Sequence, residues 1–412
     1  MPYLLLDPLG DYAGYLKKLP DRLGLEAVAL FSSPARFGAW KHKWSRLYGE
    51  HVIGEHLVGD DKDEFARELR STYPEGFYGL VPWDELHTVT AAEISDALDL
   101  DWNPPRVVER FRSKSVMKAW LRQEGSVRIN HSRAVTNKDQ AFAFQQEVGQ
   151  WPIVVKPSDG AGAMSVFFAK NRAELLHGCQ QVLESGLGEV LLEEYIGGDE
   201  FAVNGLVDHQ GELMVTDVWY YDKRDSHGER NLYYQSVKVS TFEEPFAAVA
   251  DYAASVVRAM GLRRSPVHLE IKVDERGPCL IEVGARFAGG DQPVLASKLH
   301  HHSLFELAAC HYLDDLPFSP DDVDYAHYNR YAARIVSGIQ PVEIERVRAV
   351  VGFEEVQNLP SFAGVGFLRP PGMRVPVTKD LNTKSWEIYL FHPDADQVQH
   401  DARAVRQLLR YL

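Results

Sequence analysis

The chain has 412 residues, 45% of them hydrophobic and 25% charged, enough apolar material for several cores and two or three domains. Its formal net charge of −15 argues against a nucleic-acid backbone or an anionic membrane as main partner, without forbidding a small basic pocket. No apolar run reaches the length of a membrane span, and the start, MPYLLLDPLG, lacks the basic region and long apolar core of a signal peptide.

Residues 1–107 read as an α/β domain. Tyr3–Leu6 and Ala27–Phe31 are apolar strands, with a helix around 12–23 between them. Asp60–Tyr73 has the spacing of an amphipathic helix. Phe77–Pro82 is a strand that runs into Trp83-Asp84-Glu85-Leu86, and Thr88–Leu98 is a helix with Thr88 as its N-cap. Glu85 is either a substrate contact at a strand end or, the better reading, an acid at a helix start. Trp102-Asn103-Pro104-Pro105 breaks the chain and marks a linker.

Pro152–Val155 is a short apolar, β-branched run, the pattern of a buried strand. Lys156 stands at its end and Pro157 stops it. Next comes Ser158-Asp159-Gly160-Ala161-Gly162-Ala163-Met164-Ser165, a loop of small residues. Its backbone N–H groups could lie against phosphate oxygens, because no bulky side chain holds the anion away. Ser158, Gly160, Gly162 and Ser165 are the candidate contacts, with Lys156 as a point charge. Taken alone, an ordinary glycine turn explains the loop about as well. A dinucleotide-binding loop fits less well, since it calls for no Lys-Pro start and no strand-and-acid pattern follows clearly.

Val190–Leu192 is another apolar strand, followed by Glu193-Glu194-Tyr195-Ile196-Gly197-Gly198-Asp199-Glu200 and the strand Phe201–Val207. Backbone between Glu193 and Ile196 could bond an adenine edge, and Glu200 could accept from ribose hydroxyls. The plainer alternative is a solvated hairpin. Trp219–Asn231 is polar, aromatic and of mixed charge; it reads as a loop covering a substrate, or as a hairpin tip.

Val267–Val273 carries Glu270 at its centre, and Cys279–Val283 carries Glu282. The turn signal Asp274–Pro278 between them makes these paired antiparallel strands. Carboxylates inside apolar strands are costly unless compensated. Two of them facing one way suit Mg²⁺ bridging ATP phosphates; edge acids facing water are the alternative. Arg286-Phe287-Ala288-Gly289-Gly290-Asp291 then leads into a helix ending near Ser297, and the Gly pair there suits a substrate carboxylate. His300, His301 and His302 cannot share one metal from a helix, where consecutive side chains diverge; they read as a solvated helix end. Residues 325–412 alternate strands (Arg334–Ile339, Gly364–Arg369) with turns and close on the helix Ala395–Leu409. Cys179, Cys279 and Cys310 form neither a metal spacing nor a disulfide framework, so a reducing cytoplasm is expected.

The order of these features resembles the ATP-grasp superfamily: lysine, small-residue loop, Glu-Glu-Tyr-Ile, acidic residue, then two strand carboxylates. Phe111–Lys118 is similar to the helix that supplies the family's first ATP-binding lysine. Glu-Val-Gly-Ala-Arg, ending at Arg286, points to the L-amino acid ligase (carboxylate–amine ligase) branch. The resemblance implies an α/β ATP-grasp fold: an N-terminal α/β pre-ATP-grasp domain (1–107), a small lid subdomain (108–205), and a large subdomain with a C-terminal β-rich extension (206–412). It implies ATP and Mg²⁺, with Mn²⁺ as the alternative ion. Lys114 would contact phosphates, and Lys156 the α-phosphate and adenine. Glu193, Glu194, Tyr195 and Ile196 would line the adenine, Glu200 the ribose, and Glu270 and Glu282 would hold the metal. Lys156 and Arg286 would be catalytic, Arg286 beside an acyl phosphate. One position departs from the pattern: Gly284 stands where many members have an Asn ligand.

The implied activity is ATP-dependent amide or peptide bond formation between amino acids or short peptides, releasing ADP and phosphate. The alternatives are a carboxylase-type enzyme phosphorylating bicarbonate, against which the lack of a Met-Lys-Met biotin motif counts, and an ATP-binding regulatory protein without turnover. Small molecules are the expected partners, with neither nucleic acid nor membrane; a homodimer is left open.

Overall fold

The computed structural model describes residues 1–8, 24–82, 85–159, 165–186, 189–290, 292–312 and 323–412. The helix expected at 12–23, Trp83, Asp84, Gly160, Gly162 and Asp291 lie outside the described residues. Strands β1 (Tyr3–Leu6) and β2 (Ala27–Phe31) are apolar on both faces and buried throughout, as parallel strands covered on both sides require. With β3 (Val52–Leu57) and β4 (Leu80–Pro82) they form a parallel sheet in the order β3-β2-β1-β4. β3 is absent from the sequence reading because Gly54, Glu55 and His56 erase the apolar alternation. The helix Lys62–Thr72 buries Phe65, Ala66 and Leu69 and is capped by Asp61. The helix Thr88–Ala97 is not capped by Thr88: His87 occupies the cap position, and the Thr88 hydroxyl donates to the Glu85 carbonyl at 3.1 Å.

Trp102–Pro105 is a pinned crossing and not a free linker. Trp102 Nε1 and Asn103 Nδ2 donate to the Arg264 and Arg263 carbonyls, at 2.8 and 2.5 Å. Pro105 then opens the helix Pro105–Arg112, and Ser113 separates it from the helix Lys114–Glu124. The second helix is tied to the larger part of the molecule by Lys118 Nζ on the Leu280 carbonyl (2.7 Å) and Trp120 Nε1 on the Ala259 carbonyl (2.9 Å).

A small antiparallel sheet follows: β5 (Ser132–Val135), β6 (Ile153–Pro157), β7 (Phe167–Ala169) and β8 (Val190–Glu194), in the order β5-β8-β6-β7. It has its own core of Val135, Phe144, Ile153, Val155, Leu175 and Leu192. β6 does end at Pro157, which is itself the last paired residue, opposite Val190, one residue beyond the expected end at Lys156.

The remaining strands are β9 (Asp199–Val207), β10 (Leu213–Ser226), β11 (Glu229–Lys238), β12 (Ser265–Asp274), β13 (Gly277–Gly284), β14 (Ala332–Ser337), β15 (Val350–Val351), β16 (Phe362–Leu368), β17 (Trp386–His392) and β18 (Arg410–Tyr411). Eight of them make one large sheet, β13-β12-β9-β10-β11-β14-β17-β16, and β15 pairs with β18. The C-terminal strands thus continue the sheet that carries Glu270 and Glu282. Trp219–Asn231 is not a loop. It belongs to the β10–β11 hairpin, with Trp219 fully buried and the turn at His227-Gly228 at positive φ. The charged residues Asp222–Asp225 are consecutive at the outer end of β10, half-exposed or exposed, which gave the segment its loop-like composition. The three histidines are not a helix end either. They lie between the helices Gln292–Ser297 and Leu304–Tyr312; His300 is buried on the Thr216 carbonyl at 2.9 Å, while His301 is exposed beside Asp324. Among the described residues no helix is long and apolar enough to cross a membrane.

Gly198 joins the two sheets at φ +77°, and a Cβ there would stand 2.0 Å from the Val273 carbonyl oxygen. Both the conformation and the contact exclude a side chain. Gly198→Ala is expected to cost about 2 kcal/mol or more, read as a lower urea midpoint; an unchanged midpoint would contradict this account.

Candidate active site

β8 lies inside the small sheet and β9 inside the large one, and only residues 195–198 separate them. A cavity of about 820 Å³ occupies the angle between the sheets. Its walls bring together Lys114, Lys156, Glu193, Glu194, Tyr195, Ile196, Glu200, Glu270, Glu282 and Arg286, residues spread over 173 positions of sequence (286 − 114 + 1). Ser158 and Ser165 are not among its lining residues. Ser158 is a strut instead: its carbonyl accepts from Lys114 N (2.9 Å), and its N and Oγ bond the backbone of Glu189 (3.0 Å each).

The strand ends carry charge inward, so each charge needs a partner. Glu193 is almost wholly buried, with Lys156 Nζ at 2.8 Å, Lys118 Nζ at 3.8 Å and Asn130 Nδ2 at 3.3 Å. Burial by itself would raise its carboxyl. Lys156 and Lys118, with hydrogen bonds from Lys156 and Asn130, outweigh burial and bring it below the ordinary glutamate value. Lys156 is pushed the opposite way: burial alone would lower it, but Glu193, Glu282 and Glu270 raise it. Lys118 is lowered by burial, which its acidic neighbours only partly offset. Lys118 was missed in the sequence, although it lies one helical turn after Lys114 and therefore on the same helix face. Asn130, which also donates to the Glu194 carbonyl at 3.1 Å, had no local signal.

Glu270 and Glu282 are direct cross-strand partners in β12 and β13. Lys114 Nζ stands 2.9 Å from Glu282. Glu270 has the Tyr233 hydroxyl at 3.4 Å and His268 Nε2 at 3.8 Å. Burial would raise the Glu270 carboxyl, yet His268, Lys223 and Arg286 hold it well below the usual carboxylate range. His268 is in turn fixed through Nδ1 to Asn204 Oδ1 (2.7 Å), and Asn204 to the buried Asp217 (2.5 Å). Among the described residues no group of three or more His, Cys, Asp or Glu converges as a metal cage. Two facing carboxylates fit Mg²⁺ all the same, because that ion keeps water and phosphate ligands and takes only one or two carboxylates. Glu200 is buried beside Lys223, with Lys272 at 3.9 Å.

Arg286 reaches across to the N-terminal sheet, where its guanidinium pairs with Glu85 at 2.8 Å. Glu85 does open a short helical turn, Glu85–His87, as the helix-start reading expects, and it also lines the cavity. Gly284 has an ordinary φ; a Cβ on it would meet the Arg286 side chain, with Cγ at 3.3 Å and Nε at 3.4 Å. The bare Cα therefore gives Arg286 room to fold back toward Glu85. On the far wall Lys384 pairs with Glu387 (2.5 Å), which also accepts from the Tyr389 hydroxyl (3.0 Å). Nothing in the local sequence marked that wall as part of the site.

Residues 149–293, which carry most of these lining residues, match the ATP-grasp domain family. The chain is similar to dapdiamide A synthase of Enterobacter agglomerans, 30% identical over 260 residues that span 60% of this chain and 59% of that protein. It is also similar to the L-arginine-specific L-amino acid ligase of Bacillus subtilis, 24% identical over 72% of this chain and 70% of that one. The chain thus spans less than two thirds of the length of the first of these relatives. The crystal structure of an L-amino acid ligase from Bacillus licheniformis shares the fold with a TM-score of 0.75 at 18% identity, over 100% of this chain and 98% of that one.

Glu193 gives a pH test. Its folded carboxyl titrates below 4.5, its ordinary value. Its stabilisation is therefore present in full above that pH and lost as pH falls through and below it. Glu193→Gln leaves two buried lysines short of a partner and should cost about 3 kcal/mol at pH 7. In urea unfolding this deficit against the wild type should shrink below pH 4.5; a deficit equal at pH 7 and pH 3.5 would contradict the assignment.

Proposed function

We propose that the chain is an ATP-dependent carboxylate–amine ligase that joins amino acids or short peptides. The observation that carries this reading is the facing pair Glu270–Glu282 in the cavity, with Glu270 held well below the usual carboxylate range and Lys114 against Glu282. The names of the two similar ligases support it. Lys114 and Lys156 would hold phosphate oxygens, the Glu193–Ile196 segment the adenine, and Glu200 the ribose. Glu270 and Glu282 would hold Mg²⁺, which when bound neutralises phosphate charge as a Lewis acid. Residues 108–205 would be the half that closes over the nucleotide.

In this reading a substrate carboxylate oxygen attacks the γ-phosphorus of ATP, ADP leaves, and an acyl phosphate forms. The amine nitrogen then attacks the acyl carbon, phosphate leaves, and the nitrogen gives up a proton. The chain's own part is positioning and charge. The lysines hold the phosphate chain, and Arg286 stabilises the oxyanion that develops on the acyl carbon.

Three outcomes test this. With a productive amino-acid pair, ADP and phosphate should appear in step with the amide; AMP and pyrophosphate as stoichiometric products would overturn the mechanism. Glu282→Ala should abolish turnover with little change in thermal midpoint, because it removes a ligand and opens no large cavity. Arg286→Ala should slow amide formation by about two to three powers of ten, the scale of losing one oxyanion donor.

A further inference from the structure

The loop after β13 crosses the cavity from the metal carboxylates to the far wall. Arg286 at its start meets Glu85, and a Cβ on Gly290 would stand 4.0 Å from Glu387 Oε1. Gln292 follows, lines the cavity, and is only 6% exposed. Its Oε1 accepts from the Tyr221 hydroxyl at 3.5 Å, and burial keeps that phenol protonated as a donor. Its Nε2 is buried and has no hydrogen-bond partner among the described residues.

A buried amide donor left unpaired costs about 1–3 kcal/mol, so its place in a cavity wall calls for a ligand acceptor. The neighbouring charges are different in kind. Arg286 has Glu85, and Lys384 has Glu387, each pair closed within the protein. What Gln292 offers is an N–H, and what would satisfy it is an oxygen.

The position of Gln292 says which oxygen. Tyr221 packs edge-on against Tyr233 with ring centroids 5.1 Å apart, and the Tyr233 hydroxyl reaches Glu270. Gln292 is thus two side chains from a carboxylate assigned to the metal, at the reacting end of the site. It lies on the large-sheet side, whereas Lys156 and Glu193–Glu194 come from the small sheet.

We infer that Gln292 is a specificity-determining residue whose Nε2–H donates to a carboxylate oxygen of the acid substrate, the group to be phosphorylated. The inference rests on the ligase reading above. It selects substrates with a carboxylate, and disfavours acids whose carboxyl is replaced by an uncharged or methylated group.

The test uses hydroxylamine as the amine, with ATP and Mg²⁺ and each of the twenty protein amino acids in turn. The acid that yields the most hydroxamate is the probe. Gln292→Met should raise the KM for that acid roughly 10- to 100-fold, the scale of a hydrogen bond to a charged group, and leave the KM for ATP within about twofold. Gln292→Glu should raise it further, since two carboxylates would then face each other. Thermal unfolding separates a ligand contact from a structural one. In a Tyr221→Phe background, where no hydroxyl is left without its acceptor, Gln292→Met should leave the midpoint equal or higher, whereas a fall would show that the amide serves the fold and overturn the inference. An unchanged KM for the acid, or a change confined to ATP, would also overturn it while the ligase reading stands. No hydroxamate from the wild type with any acid would overturn both.

Discussion

The structure depends on one buried charge cluster at the junction of its two sheets. Glu193 is the penultimate residue of β8 in the small sheet, Lys156 the penultimate residue of the neighbouring β6, and Lys118 comes from a helix tied to the large sheet. Ions in such a place are stabilising only if every member is present. Each partner comes from a different element, so the cluster is satisfied only when the small sheet sits where it does. The same charges form one wall of the cavity, so the fold and the site share an electrostatic requirement.

From this cluster the cavity extends along the large sheet, and its charges are paired along most of the way. Lys114 stands against Glu282, Lys223 against Glu200, Arg286 against Glu85 and Lys384 against Glu387. Glu270 and Glu193 are both held below the usual range, against the effect of burial, by neighbouring cations and hydrogen bonds. A cavity prepared in this way holds charge without reorganising around it, which is what phosphoryl chemistry asks of its surroundings.

Gly284 shows how a departure from a family pattern can have a steric cause. An Asn at this place would add a Cβ against the Arg286 side chain. Without it Arg286 bends toward Glu85 and links the end of β13 to the helical turn Glu85–His87 of the N-terminal part. The bare position leaves room for a cation that bridges two parts of the chain.

The sequence by itself determined the elements with strong local periodicity and the chemistry embedded in them. The apolar strands around Val155, Val203 and Leu269 and the antiparallel pairing of the strands that carry Glu270 and Glu282 were legible from periodicity and turn signals, whereas the ordered set Lys114, Lys156, Glu193 and Glu200 was suggested by the family resemblance. Only the tertiary structure decided what surrounds them. Lys118, Asn130 and His268 entered the site because helix and strand faces turned them inward. Trp219–Lys223 proved to be strand because its alternate residues face a core the local composition does not reveal. Lys384, Glu387 and Tyr389 became a wall of the cavity because β17 joins the same sheet about a hundred residues downstream of β13. Such contacts depend on which strand lies beside which, and that is settled by burial over the whole chain, not by any one segment.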